Sequence, residues 1–120
     1  PDFIAKHPDA VKGLVAAINR GLVETLKDPE TALNAVEKMA PNFKREVDGP
    51  RLMGTLQVEM AHPEGAIHGI GDVDDKRIER SISLMVEACR LPRTPKPEEI
   101  FTRAYLPPLE ERAKPLGKKA

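Results

Sequence analysis

Apolar side chains recur at helical spacing near the start of the chain. Residues 11–26 carry large apolar side chains at successive intervals of 3, 1, 3, 4 and 4 positions, which matches one face of an α-helix with about 3.6 residues per turn. Pro8 suits the first helical position, because its missing N–H would have no partner there, and Asp9 lies in the positively polarised first turn. The sequence predicts a helix from Pro8 to about Asp28 whose buried face contains Val11, Leu14, Val15, Ile18, Leu22 and Leu26.

A second helix is predicted directly after the first. Asp28, Pro29 and Glu30 provide an N-cap, a proline at the first helical position and an acidic residue at the positive end of the helix dipole. The helix ends before Pro41, because proline cannot continue it. Only one residue joins the two helices, so we expect a bent pair, with the second helix presenting Ala32, Leu33, Val36 and Met39.

A third helix and a glycine-rich loop are predicted next. The helix spans about Gly49 to Ala61, with an apolar face of Leu52, Met53, Leu56 and Met60, although Gly49, Pro50 and Gly54 punctuate it. In the following segment, three glycines lie within the seven residues from 65 to 71. Because glycine removes the steric limits that favour helix, we predict a loop over His62–Gly71.

A fourth helix is predicted after the glycine-rich segment. Asp72 or Asp74 caps it, and charged side chains lie opposite its apolar face. The face contains Ile78, Ile82, Met85, Val86 and Cys89, a spacing typical of an amphipathic helix. We therefore expect Cys89 to be a buried thiol with a raised pKa that acts as a small apolar side chain.

The C-terminal part has the composition of an extended arm. Six of the 12 prolines lie after residue 90, and proline at this density favours extended backbone laid over a surface. We predict one helical turn at Pro97–Phe101 and a frayed end at Lys114–Ala120. No stretch has the alternating pattern of a strand. The predicted fold class is all-α, with about four main helices in residues 1–90 and a proline-rich arm, residues 91–120, in the same domain.

Composition restricts the core and the partners. The chain has 120 residues, no Trp and 3% aromatic residues, so its core must be aliphatic. Its 19 basic and 19 acidic residues cancel, which argues against binding to a nucleic-acid backbone. The apolar runs are far shorter than the ~20 residues that span a bilayer, and the first residues lack a signal-peptide pattern. Because no strand is predicted to cover the helices, we expect their apolar faces to need a partner surface.

The residues that most often perform chemistry do not form a recognisable constellation. His62 and His68 are six positions apart without the spacing of a metal site, and the glycine-rich segment lacks a phosphate-loop motif. Asp72, Asp74 and Asp75 lack the spacing of a calcium loop and fit the first turn of a helix, so we interpret them as caps. The sequence therefore predicts no catalytic, cofactor-binding or metal-binding residue, and no enzyme.

The residues at the helix ends and packing positions resemble those of a known family. The resemblance is carried by Pro8, Val11, Leu14, Ala17, Gly21, Asp28-Pro29-Glu30 and Ala32, then by Gly71-Asp72, Pro97–Phe101 and Tyr105-Leu106-Pro107. Over Phe3–Pro108 the arrangement resembles the C-terminal region of periplasmic substrate-binding proteins of ABC transporters. The relevant branch binds nitrate, sulfonates, taurine and the pyrimidine precursor of thiamine.

The resemblance implies a larger parent. Members of the family have a two-lobed α/β fold, the type II periplasmic-binding-protein fold, with the ligand cleft between the lobes. This region would pack helices outside one lobe, as a C-terminal fragment or truncated relative, and would be periplasmic if its parent is exported. The ligand and the ABC permease would be partners of that parent. The ligand-binding residues stay unknown; Phe3 and the His62–His68 loop are the segments that the resemblance would place nearest the cleft.

A second interpretation belongs to a different functional class. A free-standing helical module could cover its apolar faces with a second copy of itself, through symmetric helix packing. The two interpretations share one physical requirement, which is a surface that covers the helices. They differ in whether a missing part of the same polypeptide or another copy provides it.

Overall fold

The predicted helices form, and no strand is present in the part of the chain that the structure describes. A computed structural model describes residues 2–116. The helices are α1 (Asp2–Lys6), α2 (Pro8–Lys27), α3 (Pro29–Met39), α4 (Arg45–Gly54), α5 (Pro63–His68), α6 (Asp75–Cys89) and α7 (Pro97–Ile100); a π-helical turn, Thr55–Glu59, continues α4, and a 3₁₀ turn covers Leu109–Glu111. The all-α prediction is confirmed for these residues.

The bent pair α2–α3 has the predicted joint. Pro8 and Pro29 each lie at the start of their helix. Asp28 caps α3, because its carboxylate accepts the Thr31 amide at 3.1 Å and the Thr31 hydroxyl at 2.7 Å. These hydrogen bonds, chiefly the one from the hydroxyl, lower the pKa of Asp28 below its usual 3.8. The joint was predictable because a cap followed by proline specifies a helix start by itself.

The third helix begins earlier than predicted. α4 starts at Arg45, four residues before the predicted start, and includes Pro50 in its interior. The Lys44 amide donates to the Asp48 carboxylate at 2.8 Å, so a side chain holds the start of this helix. Beyond Gly54 the backbone widens into the π-helical turn, where Met60 N–H donates to Thr55 O at 2.9 Å.

The prediction of a loop over His62–Gly71 is wrong for its first part. Residues Pro63–His68 form α5, with proline at the first position. The His62 ring caps this helix, since its Nδ1 accepts the Glu64 amide at 3.3 Å. The helix ends at Gly69, which has a φ of +81°. In this six-residue helix, the proline at the start and the capping side chain therefore outweigh the helix-destabilising effect of Gly65.

α6 forms as predicted, but its C-terminal end is not buried. Asp74 is the N-cap, and its carboxylate accepts the Lys76 amide at 3.0 Å. Ile78 and Ile82 are buried, whereas Met85 is 56% exposed and Cys89 is exposed. The prediction of a buried Cys89 thiol is wrong, because the apolar stripe continues past the part of the chain that covers α6.

The described chain has little interior for its size. Its radius of gyration is 17.2 Å, whereas a compact domain of 120 residues has about 14 Å. Its accessible surface is 9255 Å², about 2,900 Å² more than the roughly 6,400 Å² expected for a compact monomer of this mass. The buried apolar side chains are few and scattered: Leu33, Leu56, Ile78, Ile82 and Ala113.

The predicted burial of the α2 stripe is also wrong. No residue of α2 is buried, and Leu14 and Ile18 are 62% and 63% exposed. Spacing predicts which side chains share a face, but a covering element is needed to bury that face. In residues 2–116 the stripe is covered only in part: Val11, Val15, Leu22 and Leu26 are half-buried, and Leu14 and Ile18 are exposed.

Candidate functional site

An ion-pair cluster fixes the C-terminal segment to the turn before α6. The Asp72 side chain, only 5% exposed, accepts from Arg103 Nε at 2.7 Å and from Arg112 Nη1 at 2.8 Å. Arg103 also pairs with Asp75 at 2.8 Å. The Val73 amide donates to Asp72 Oδ1 at 2.7 Å. Both oxygens of Asp72 are engaged, so this carboxylate is a structural anchor, and its predicted role as a helix cap is wrong.

Residues 107–115 form a strap that runs back over the earlier part of the chain. Arg112 is the main anchor within it, with a side chain only 14% exposed. Its Nε donates to Pro107 O at 2.8 Å and its Nη1 to His68 O at 2.9 Å. Arg112 therefore ties the strap to the end of α5 as well as to Asp72.

The strap is also attached to α2. The Asn19 side chain donates through Nδ2 to Glu111 O at 2.7 Å, and its Oδ1 accepts the Ala113 backbone amide at 2.9 Å. Ala113 O in turn accepts the Ile70 amide at 2.8 Å. One asparagine side chain thus reproduces the paired donor and acceptor of a backbone ladder and holds two residues of the strap.

The first two residues of the segment predicted to fray, Lys114 and Pro115, also contact the earlier part of the chain. Lys114 Nζ donates to Ala66 O at 3.3 Å, and Pro115 lies close against Gly65. Residues 117–120 of that segment lie outside the described residues. For Lys114 and Pro115, contact with α5 replaces the predicted fraying.

The electrostatics of the cluster favour a charged Asp72. Burial alone would raise the pKa of this carboxyl group, but the hydrogen bonds from Arg103, the Val73 amide and Arg112, with the positive charge of Arg103, outweigh it. The pKa of Asp72 therefore lies below its usual 3.8. Because the folded state binds this proton less tightly than the unfolded state, Asp72 stabilises the fold whenever it is ionised.

This pKa shift predicts a specific acid dependence. The stability that wild type gains from an ionised Asp72 is complete above the unfolded value of 3.8 and is lost as the pH falls through the lower folded pKa. We expect the free energy of unfolding of the wild type to exceed that of Asp72→Asn by a constant margin near neutral pH. This margin should shrink below about pH 4. Urea unfolding of both proteins from pH 7 to pH 2.5 measures the margin. A margin that stays constant to pH 2.5 would contradict the assignment.

An open apolar groove lies where α2, α3 and α4 meet. Its volume is about 500 Å³. Two polar residues in its wall are already engaged, since the Thr25 hydroxyl donates to Gly21 O at 2.8 Å and Asp48 accepts the Lys44 amide. The groove therefore suits apolar side chains better than a polar solute. Its apolar lining consists of Ala32, Leu33, Val36, Ala40, Phe43 and Leu52.

Exposed apolar side chains extend well beyond this groove. Large apolar residues on every helix from α1 to α7 are at least two-fifths exposed. Together with the large accessible surface, this exposure favours packing against another apolar layer. The most exposed are Phe3, Leu14, Ile18, Met39, Val58, Ile67 and Ile100.

The segments that the sequence placed nearest a ligand cleft do not form a joint site. The Phe3 ring is 62% exposed and packs against His7, with ring centroids 4.9 Å apart. His62 caps α5 and its ring contacts Arg77 Nη1 at about 3 Å. His68 contributes its carbonyl group to Arg112. Phe3 and His62 therefore make local side-chain contacts, and His68 takes part through its backbone carbonyl.

The described residues contain no group of three potential metal ligands close enough to hold an ion. The two histidines near the glycine-rich segment are separated by α5, and the three nearby aspartates serve different elements. Asp74 caps α6, Asp72 binds two arginines and Asp75 pairs with Arg103.

The anchoring residues Asn19, Arg103 and Arg112 were not singled out in the sequence. A signal existed only for Asn19, which is a poor helix former in the middle of an otherwise apolar helix. The arginines pair with Asp72 over 31 and 40 positions, a separation at which sequence spacing carries no information.

Within residues 2–116, no helix combines the length and the apolar character needed to cross a bilayer.

Comparison of the sequence with protein-family models and with curated proteins, and of the fold with solved structures, finds no significant match.

Proposed function

We propose that this chain is the C-terminal helical region of a solute-binding protein of an ABC transporter. In this proposal it is a non-enzymatic part, exported to the periplasm with its parent. Its helices lie on the outer face of an α/β lobe, and the parent closes two lobes around a small molecule and delivers it to a permease. Ligand would favour the closed state in proportion to its tighter binding to that state.

The observation that carries the proposal is a set of well-specified helices without a layer to cover them. Asp28 and Asp74 cap their helices by hydrogen bonding, so the helices are locally well defined. Yet Leu14 and Ile18 of the α2 stripe are exposed, and the groove beside α3 is open. An apolar β-layer has the shape and chemistry to fill such a face.

The test uses the natural polypeptide that contains this sequence, purified from its source cells. Its intact mass is compared with 13.2 kDa, and its melting temperature is measured with nitrate, taurine, an alkanesulfonate and a thiamine pyrimidine precursor. A true ligand at 100 times its Kd stabilises the protein by about 2.7 kcal/mol. We expect a polypeptide larger than 13.2 kDa whose Tm rises with one ligand class. In solution scattering its radius of gyration should be smaller with that ligand than without it.

The 120-residue chain alone is the matched control and is expected to show no ligand-dependent rise in Tm. A natural polypeptide of 13.2 kDa, or a larger one that none of the four ligand classes stabilises, contradicts the proposal.

The second candidate is a helical module that covers its apolar faces with another copy of itself. The roughly 2,900 Å² of excess surface per chain favours it as well. Covering even half of it on each copy would bury about 2,900 Å² in total, which is within the range of obligate homodimers. Light scattering of the natural polypeptide separates the candidates. A symmetric dimer of the 13.2 kDa chain supports the module, and a monomeric larger protein supports the solute-binding parent.

A further inference from the structure

The described helices fall into two groups whose polar connection is narrow. Close backbone approaches between helices occur within residues 2–60, where α1, α2, α3 and α4 pack in sequence, and between α6 and α7. Among residues 2–116, the hydrogen bonds that join residues 2–60 to the rest of the chain all come from one side chain, Asn19. Each salt bridge of the described residues joins two residues within 2–60 or two residues within 61–116.

The strap is held unequally by the two groups. On the α5–α6 side it is held by Arg112, whose charged Nη1 donates to Asp72 and to His68 O from a largely buried position. On the α2 side it is held by two hydrogen bonds between neutral groups, both through Asn19. Charge-assisted hydrogen bonds are roughly twice as strong as neutral ones.

The junction with α2 is also incompletely packed. A cleft of about 360 Å³ lies between the strap and α2, with Ala16, Arg20 and Val23 on one wall and Pro107 and Glu110 on the other. Water can therefore reach the neighbourhood of the two Asn19 hydrogen bonds and compete for their groups.

We infer that the strap is a releasable latch: it detaches from α2 at Asn19 while remaining anchored to α5 and α6 through Arg112 and Asp72. Release at this point lets the two groups of helices move relative to each other without melting either group. The latch is a property of residues 19 and 107–115, so it does not depend on what covers the apolar faces.

The test measures amide hydrogen exchange on the full chain and on Asn19→Ala. The Ala113 amide donates to Asn19, whereas the Ile70 amide donates to the strap on the other side. We expect exchange at Ala113 to quicken by roughly tenfold or more when Asn19 is removed, as for two lost neutral hydrogen bonds. Exchange at Ile70 should change less than about threefold, because Arg112 still holds that side.

Asn34→Ala is the matched control. Asn34 is also a helical asparagine with a hydrogen-bonded amide oxygen, but its partner is Arg45 within the first group. We expect this variant to leave exchange at both Ala113 and Ile70 unchanged. The distance between a spin label on the exposed Cys89 of α6 and one at Lys12→Cys on α2 provides a second measurement, and its distribution should broaden in Asn19→Ala only.

Three outcomes would overturn the latch. Equal acceleration at Ala113 and Ile70 would mean that the strap opens as one unit. No acceleration at Ala113 would mean that Asn19 does not hold it. Loss of the helical circular dichroism signal in Asn19→Ala, and again in the milder Asn19→Asp, would mean that Asn19 is a folding requirement instead of a releasable contact.

Discussion

Replacement of Gly69 by alanine is expected to lower the free energy of unfolding by about 4 kcal/mol. Gly69 ends α5 with φ +81° and ψ 157°, a region of backbone conformation that essentially only glycine adopts. A Cβ at this position would lie 2.5 Å from Arg112 Cβ and 2.9 Å from Arg112 Cδ. The substitution therefore strains the backbone and displaces the residue that anchors the strap.

Gly71→Ala separates these two causes. Gly71 also has a positive φ, +99°, but an added Cβ there meets no atom within 4 Å. Its replacement should cost only the backbone strain, about 1–2 kcal/mol. Urea unfolding of both variants, followed by circular dichroism at 222 nm, gives the two free energies. Equal losses in the two variants would show that Arg112 does not pack against Gly69 in solution.

The starts of α2, α3 and α6 could be predicted because the information that specifies them is local. Asp28 and Pro29 define the start of α3 within two residues, and Asp74 defines that of α6. A cap satisfies a free backbone amide at the helix end with a side chain from the same segment, so no distant residue is needed. The starts of α2, α3 and α6 agree with the structure to within a residue or two.

α5 was missed because two local preferences compete over the same six residues. Glycine at positions 65, 69 and 71 favours a loop, whereas Pro63 and the His62 ring favour a helix start. The helical start prevails for six residues, and the positive φ of Gly69 then ends it. Counting glycines gives the wrong answer here because only Gly65 lies inside the helix.

The strap lay outside the reach of sequence patterns. Its partners are separated by 40 positions for Arg112 and Asp72 and by 94 for Ala113 and Asn19. Capping and turn signals operate over a few residues and periodicity over fewer than about twenty. The proline content after residue 90 predicted an extended arm, but it could not predict which surface the arm crosses.

The exposed stripe of α2 shows a different limit. The spacing of Leu14 and Ile18 correctly indicates a helix with an apolar face, but the same spacing occurs whether the face is covered or open. Burial is a property of the assembled layers, and within residues 2–116 Leu14 and Ile18 stay exposed while the rest of the stripe is half-buried. The expectation of a partner surface follows from that difference and remains a prediction.

Removal of the Arg112 side chain is expected to have the second large effect. Arg112→Ala deletes the donors to Asp72, His68 and Pro107 and leaves two carbonyl oxygens and part of a nearly buried carboxylate without a partner. Unpaired groups of this kind cost more than the lost bonds contributed, so we expect a loss of about 3 kcal/mol. Arg103 still neutralises Asp72, which keeps the loss below that for an isolated buried charge.

Arg45→Ala is the matched control, because the Arg45 side chain also donates hydrogen bonds to three residues. It binds Glu30, Asn34 and Glu37, but its side chain is 37% exposed and water can replace it. We expect a loss below about 1 kcal/mol. Urea unfolding at pH 7 compares the two variants with Arg112→Lys, which keeps the charge but not the planar fork, and should therefore fall between Arg112→Ala and wild type. If Arg112→Ala costs no more than Arg45→Ala, the strap is not anchored by Arg112, because burial is the main difference between the two sites.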